Sequence, residues 1–152
     1  MSLRKKVLLT ICAVLLFIQF IRPTKNQGKI VGPQHISNVV DVPENISLIL
    51  NTSCYDCHSN STRYYWYSEI MPIGWWLNHH VEEGKEELNF SEFTFLPLKK
   101  QDHKLEEVKE EVIGKEMPIK SYTRMHKNAE LTKDQIKLIS DWIDVSRKKL
   151  QN

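Results

Sequence analysis

The chain has 152 residues, of which 41% are hydrophobic and 26% are charged, so its composition is that of one small globular domain. Its net charge is only +2, and basic residues are interleaved with acidic ones along the chain. The sequence therefore lacks the basic stripe that is typical of nucleic-acid-binding proteins, and we expect no nucleic acid partner.

The N-terminus has the pattern of a signal or membrane-anchor helix. A basic cluster at residues 4–6 precedes the apolar residues 7–21. No small-residue cleavage pattern follows, which favours an uncleaved anchor, although the run is short for a hydrocarbon core of about 30 Å. Because basic flanks tend to stay inside, we expect an inner-membrane anchor with the rest of the chain facing the periplasm. If residues 1–21 are cleaved, the protein is exported and soluble.

Residues 22–42 are predicted to be a linker. They contain two prolines and two glycines and show no sustained hydrophobic period. The predicted folded domain covers residues 43–150 and begins with a short helix after Pro43, which suits the first turn of a helix. Aliphatic residues share one face of this helix, and it leads directly into a cysteine motif.

Three longer helices are predicted beyond the motif. Pro72 opens the first, with the sequence IGWWLNHHVEEGKEE. The second covers roughly residues 102–113 and is expected to stop at Gly114. The third begins at the capping-box pair Thr132 and Gln135 and carries an apolar stripe. The segments between these helices are expected to be loops. Since no strand-like alternation competes, the sequence predicts an all-α fold.

The chemistry is concentrated in residues 51–60, NTSCYDCHSN, which contain a Cys-x-x-Cys-His pattern. Two thiols about one helical turn apart can bond to the two vinyl groups on one edge of a porphyrin, and the next imidazole can reach the iron. This pattern is the attachment signature of c-type haem. It predicts thioether bonds from Cys54 and Cys57 and axial iron ligation by His58.

Three other interpretations of the cysteine pair are possible. A zinc site would have to recruit further ligands from His79, His80 or His126, because there is no second cysteine pair. A thioredoxin-like redox pair expects a preceding strand in a βαβ unit, which is not predicted. A plain disulfide in an oxidising compartment would account for the cysteines but not for His58.

The chain resembles the haem-binding domain family of bacterial single-haem cytochromes, which is related in pattern to class I cytochromes c. The resemblance runs from about Ile21 to Trp142. It is carried by IRPTKNQ, by VPENISLILNTSCYDCHSNSTRYYWYSEIMPIGWWLNHHVEEGKEELNFSEF and by EMPIKSYTRMHKNAELTKDQIKLISDWI. The resemblance implies a small cytochrome c-like helical domain around one covalent haem c, with His58 as the proximal ligand.

The ligand on the opposite, distal side of the iron is expected to be Met117. In cytochromes c a methionine in the loop before the last helix takes this role, and Met117 occupies that place in GKEMPIKSY. Met125 in the same loop and the helical His80 and His79 are the alternatives, since imidazole also ligates haem iron.

These expectations combine into a functional prediction. Methionine–histidine ligation raises the reduction potential and suits electron transfer. We therefore expect a single-haem c-type cytochrome, rather than an enzyme, that carries one electron between redox partner proteins at the membrane surface. The alternatives are a haem-based sensor or ligand-binding module, or a peroxidase-type enzyme with an open distal site.

Overall fold

The computed structural model describes residues 1–151, and within them the fold is built from helices without a β-strand. The all-α prediction is confirmed. The α-helices are α1 (Leu3–Ile18), α2 (Glu44–Ser53), α3 (Tyr55–His58), α4 (Ile73–Glu87), α5 (Leu98–Gly114), α6 (Lys120–Met125) and α7 (Lys133–Gln151). Short 3-10 helices lie at Ile36–Asn38, Trp66–Glu69, Phe90–Phe95 and Lys127–Ala129.

The core is formed where α5 and α7 pack together and α2 lies against α7. α7 contributes Ile139 and Ile143, and α5 contributes Leu105, all of them fully buried. Two phenylalanines of the segment between α4 and α5, Phe90 and Phe93, complete this core. Burial of one such side chain typically stabilises a fold by roughly 1.5–3 kcal/mol. α2 is thereby fixed just before the cysteine motif.

The predicted capping box of α7 is present. The backbone N–H of Thr132 donates to Gln135 Oε1 at 2.9 Å, and the N–H of Gln135 donates to Thr132 Oγ1 at 3.2 Å. α5 ends at Gly114 as predicted, but the residue in the left-handed conformation is Lys115, with a φ of 60°. α5 also starts earlier than predicted, at Leu98, because Pro97 precedes its first turn.

The folded part of the chain begins before residue 43, where the sequence places the start of the domain. Ile36 and Val40 belong to the hydrophobic core and are almost completely buried. The N–H of Thr94 donates to the carbonyl of Gln34 at 3.1 Å, which ties this segment to the Phe90–Phe95 helix. The prolines and glycines of residues 22–42 predicted an irregular backbone. They did not indicate that Ile36 and Val40, which are four residues apart, belong to the hydrophobic core.

The chain after α1 is docked on the segment that leads into α4. Gln19 Nε2 donates to the carbonyl of Met71, and the N–H of Met71 donates back to Gln19 Oε1, both at 3.0 Å. Trp75 Nε1 donates to the carbonyl of Ile21 at 2.7 Å. Glu69 pairs with two basic side chains, Arg22 and Lys25.

α1 itself has no buried residue. Within residues 1–151, no helix combines the length and the apolar character that a membrane crossing requires.

Candidate functional site

The cysteine motif occupies the junction of α2 and α3. α2 ends at Ser53, and the N–H groups of Cys57 and His58 both donate to the carbonyl of Cys54, at 3.2 and 2.9 Å. This turn places Cys54 and Cys57 on the wall of one cavity, together with His58. The short helix that the motif itself forms was not predicted, because four residues are too few to show a helical period.

α4 approaches this turn closely because it has a glycine at the point of contact. A Cβ atom on Gly84 would lie 2.9 Å from the carbonyl oxygen of Cys57 and 3.2 Å from its Cβ. Contacts below 3.0 Å with backbone atoms are not tolerated without movement. The absence of a side chain at Gly84 therefore sets the distance between α4 and α3.

Three adjoining cavities surround the motif. The central cavity has a volume of about 310 Å³ and is lined by Cys54, Cys57 and His58. The second, of about 450 Å³, shares Cys54 and His58 with it and extends along α5. The third, of about 170 Å³, shares Cys57 and extends toward α6. The motif thus lies at the centre of a space large enough for a flat organic cofactor.

The imidazole of His58 is oriented by the backbone. Its Nδ1 donates a hydrogen bond of 3.0 Å to the carbonyl of Leu88, since a carbonyl oxygen can only accept. Burial lowers the pKa of His58, although the hydrogen bond to Leu88 acts in the opposite direction. The ring is therefore neutral at pH 7, with the proton on Nδ1 and a lone pair on Nε2. A neutral imidazole held in this way is a metal ligand.

The two thiols are protonated at neutral pH. Burial, followed by the neighbouring Cys57, raises the pKa of Cys54 to about 12. Burial, followed by the charge of Asp56, raises the pKa of Cys57 to about 11. Reactive cysteines of disulfide oxidoreductases have lowered pKa values, so this environment does not favour the redox-pair interpretation. In the described residues 1–151, no group of three or more His, Cys, Asp or Glu side chains could hold a metal ion.

The candidates for the distal position differ in where they lie. Met117 lines both the central and the second cavity, with 37% of its surface exposed. His80 lines the central and the third cavity, and its Nδ1 donates to the carbonyl of Trp76 at 3.0 Å. Met125 lines only the third cavity. His79 lines none of the three and lies 3.2 Å from Glu83 at the surface.

One polar network beside the motif was not predicted. Asp56, between the two cysteines, is 7% exposed. Its Oδ1 accepts from Arg63 Nε at 2.9 Å, and its Oδ2 accepts from Tyr122 Oη at 2.7 Å. Burial, followed by the bond to Asp56, raises the pKa of Tyr122 above its usual value. No sequence signal marks these partners, because Tyr122 lies 66 residues from Asp56 along the chain.

The sequence model of a family described as "Haem-binding domain" matches residues 13–145. This range begins inside α1, ends inside α7 and includes every residue that lines the three cavities. No curated protein and no solved structure matches the chain.

Proposed function

Because the chain belongs to the haem-binding domain family, we propose that it is a single-haem c-type cytochrome that carries one electron between partner proteins outside the cytoplasmic membrane. Haem c would be held covalently through Cys54 and Cys57. His58 would ligate the iron on the proximal side and Met117 on the distal side.

The observation that carries this proposal is the orientation of His58. Its Nδ1–H donates a hydrogen bond to the carbonyl of Leu88, which leaves Nε2 as the atom that would ligate the iron. His58 lines the same cavity as Cys54 and Cys57, so a group attached to the two thiols lies within reach of the imidazole. A hydrogen-bonded Nδ1 also increases the basicity of the ligating nitrogen. The donor set and the adjoining cavities fit a haem.

The remaining wall residues favour electron transfer over ligand chemistry. Haem supplies the iron(II)/iron(III) couple, and the chain determines its axial ligands, burial and surrounding dipoles. Met117 and His80 both line the central cavity that His58 lines, so the chain offers a second protein ligand to the iron. A protein ligand in the sixth coordination position of the iron closes the position that a peroxidase or a gas sensor needs to keep open. A thioether at this position favours a higher reduction potential than a second imidazole.

The N-terminal helix supports a location at the membrane. α1 is apolar through residues 7–18, none of its residues is buried, and basic residues 4–6 lie at its start. We propose that residues 1–21, of which α1 is the helical part, anchor the chain in the inner membrane and that the haem domain faces the periplasm, where redox proteins of the membrane surface would be its partners.

The proposal is tested on full-length protein expressed with a c-type maturation system. The alkaline pyridine spectrum of the reduced protein should show two thioether bonds, and Cys57→Ala should shift this spectrum toward that of a haem with one saturated vinyl group. Covalent haem in neither protein would contradict the attachment.

The distal ligand is tested by Met117→Ala, with Met125→Ala as the matched control. The oxidised protein should show the near-infrared band of methionine–iron ligation, and only Met117→Ala should abolish it. If the band is absent from the unmodified protein and His80→Ala converts its spectrum to high spin, His80 is the ligand.

A further inference from the structure

Met117 lies in a stretch that runs from the last residues of α5 to the last 3-10 helix, and none of its residues is buried. We call residues 113–125 the Met117 segment. Each of its residues is exposed or only partly buried, and the nearest buried residues on either side are Val112 and His126. Apolar burial therefore does not fix the position of this segment.

Backbone hydrogen bonds hold the start of this segment to α5, because the N–H groups of Glu116 and Met117 donate to the carbonyl of Glu111 at 3.0 and 3.3 Å. A single side-chain hydrogen bond holds it to α3. Within residues 1–151, Tyr122 Oη is the single side-chain donor of the Met117 segment that bonds to a residue outside it, and its acceptor is Asp56 Oδ2 at 2.7 Å. A phenol bonded to an ionised carboxylate at this distance is a charge-assisted hydrogen bond, which is stronger than a neutral one. The bond joins α6 directly to α3, the helix of the cysteine motif.

The acceptor is rigid. Asp56 Oδ1 accepts from both the side chain and the backbone N–H of Arg63, at 2.9 and 3.2 Å. Its own backbone carbonyl accepts from Thr62 Oγ1 at 2.6 Å, and Arg63 Nη2 donates to the carbonyl of Asn51 at 2.9 Å. The carboxylate is thus held in one orientation, with Oδ2 directed at Tyr122. A buried carboxylate whose oxygens both have partners is well suited to specify a position.

We propose that the Tyr122–Asp56 hydrogen bond positions Met117 over the cysteine motif, so that Tyr122 and Asp56 are positioning residues for the distal ligand. This inference rests on the proposed function, in which Met117 ligates the iron. Met117 and Tyr122 line the same central cavity and lie five residues apart, with Pro118 and Ile119 between them also on its wall. Fixing Tyr122 therefore limits how far the sulfur of Met117 can move from the cavity.

The first test is hydrogen–deuterium exchange on full-length protein carrying Tyr122→Phe, which keeps the ring and removes the hydroxyl. Amides of residues 115–126 should exchange about tenfold faster, as expected for local opening after loss of one charge-assisted hydrogen bond. The control is Tyr64→Phe, since Tyr64 Oη accepts from the N–H of Asn26 at 2.7 Å, far from α6 in sequence. It should leave exchange in residues 115–126 unchanged. The comparison is made with and without haem attached. Unchanged exchange in Tyr122→Phe would overturn the proposal.

The second test is the methionine–iron band of the haem-loaded protein. Tyr122→Phe should weaken the band and shift the reduction potential, whereas Tyr64→Phe should leave both as in the unmodified protein. Asp56→Ala should weaken the band at least as much as Tyr122→Phe, because it also removes the acceptor of Arg63. Adding Tyr122→Phe to Asp56→Ala should cause no further loss, because the bond between Tyr122 and Asp56 is already absent. Additive losses would contradict the proposal, as would an unaltered band in Tyr122→Phe.

The two proposals fail in different ways. If Met117→Ala leaves the haem spectrum unchanged, Met117 is not the ligand, and both the proposed distal ligation and the positioning of it are wrong. If Met117→Ala abolishes the band but Tyr122→Phe changes neither the band nor the exchange, only the positioning role is wrong.

Discussion

Gly84 and Cys57 are in contact at a distance that only glycine permits, because a Cβ on Gly84 would lie 2.9 Å from the carbonyl oxygen of Cys57. The cysteine motif and α4 are therefore packed against each other through backbone atoms. The space available to a group attached at Cys57 depends on this contact, since Gly84 also lines the central cavity.

We expect Gly84→Ala to displace α3 from α4 and to destabilise the protein by roughly 1–3 kcal/mol, the usual range for overpacking. Urea denaturation gives the free energy of unfolding, and the absorbance of bound haem per chain reports on the motif. Gly114→Ala is the matched control. A Cβ there would meet only Glu116 Cγ at 3.9 Å, so this change should be neutral or stabilising. Equal stability of the two variants would contradict the contact.

His35 should make stability depend on pH. It is 3% exposed, and its Nδ1 accepts from the N–H of Ser37 at 3.2 Å, so that Nε2 donates to Tyr55 Oη, also at 3.2 Å. Burial lowers the pKa of His35 below its usual 6.5. As the pH falls through 6.5, the unfolded chain binds a proton that the folded protein does not. Stability is therefore complete above this pH and is lost below it, by at most about 1.4 kcal/mol per pH unit for one proton.

This prediction is checked by measuring the free energy of unfolding from about pH 8 to about pH 5, the range in which histidine titrates. His35→Gln should reduce the loss at acidic pH. His103→Gln is the control, because His103 is exposed and lies 3.2 Å from Glu107 at the surface. A pH profile of His35→Gln parallel to that of the unmodified protein would show that His35 does not contribute.

Ile139 is fully buried in the core, and Ile139→Ala should destabilise the protein by about 2–5 kcal/mol through lost burial and a residual cavity. The adjacent Leu138 is 41% exposed, so Leu138→Ala should cost less than about 1 kcal/mol. Thermal or urea unfolding of both variants measures the difference. A similar loss for both would place the core on a different face of α7.

Thr132→Ala removes the side-chain acceptor of the α7 capping box and should cost about 1 kcal/mol. Thr52→Ala is the comparison, because the hydroxyl of Thr52 donates to the carbonyl of Leu48 within α2 and caps no helix end. That change should lie within about 0.5 kcal/mol of the unmodified protein. Unfolding free energies that rank the two variants in the opposite order would show that the cap is not stabilising.

The longer helices of the domain could be predicted because their signals are local. Pro72 and the Thr132–Gln135 pair mark helix starts, and both were placed correctly. α6 was not predicted, because it has no such local signal. It has six residues, none of them buried, and follows Pro118, so neither an apolar stripe nor a cap identifies it.

The sequence named the contiguous motif, and it also named His80 and Met117, which line the same central cavity. It did not reveal the contacts that orient these residues. The motif identifies Cys54, Cys57 and His58. The hydrogen-bond acceptor that orients His58, however, is the backbone carbonyl of Leu88, 30 residues away. Any residue type can supply such a carbonyl, and its position follows from where α4 ends. The role of Gly84 likewise depends on the packing of α4 against α3, which no single segment determines.

The docking of the chain after α1 couples two parts that the sequence separates by a linker. Gln19 and Ile21 bond to the segment that opens α4, and α4 forms one side of the central cavity. The position of α1 relative to the wall of the central cavity is therefore set by three hydrogen bonds and not by the length of the linker.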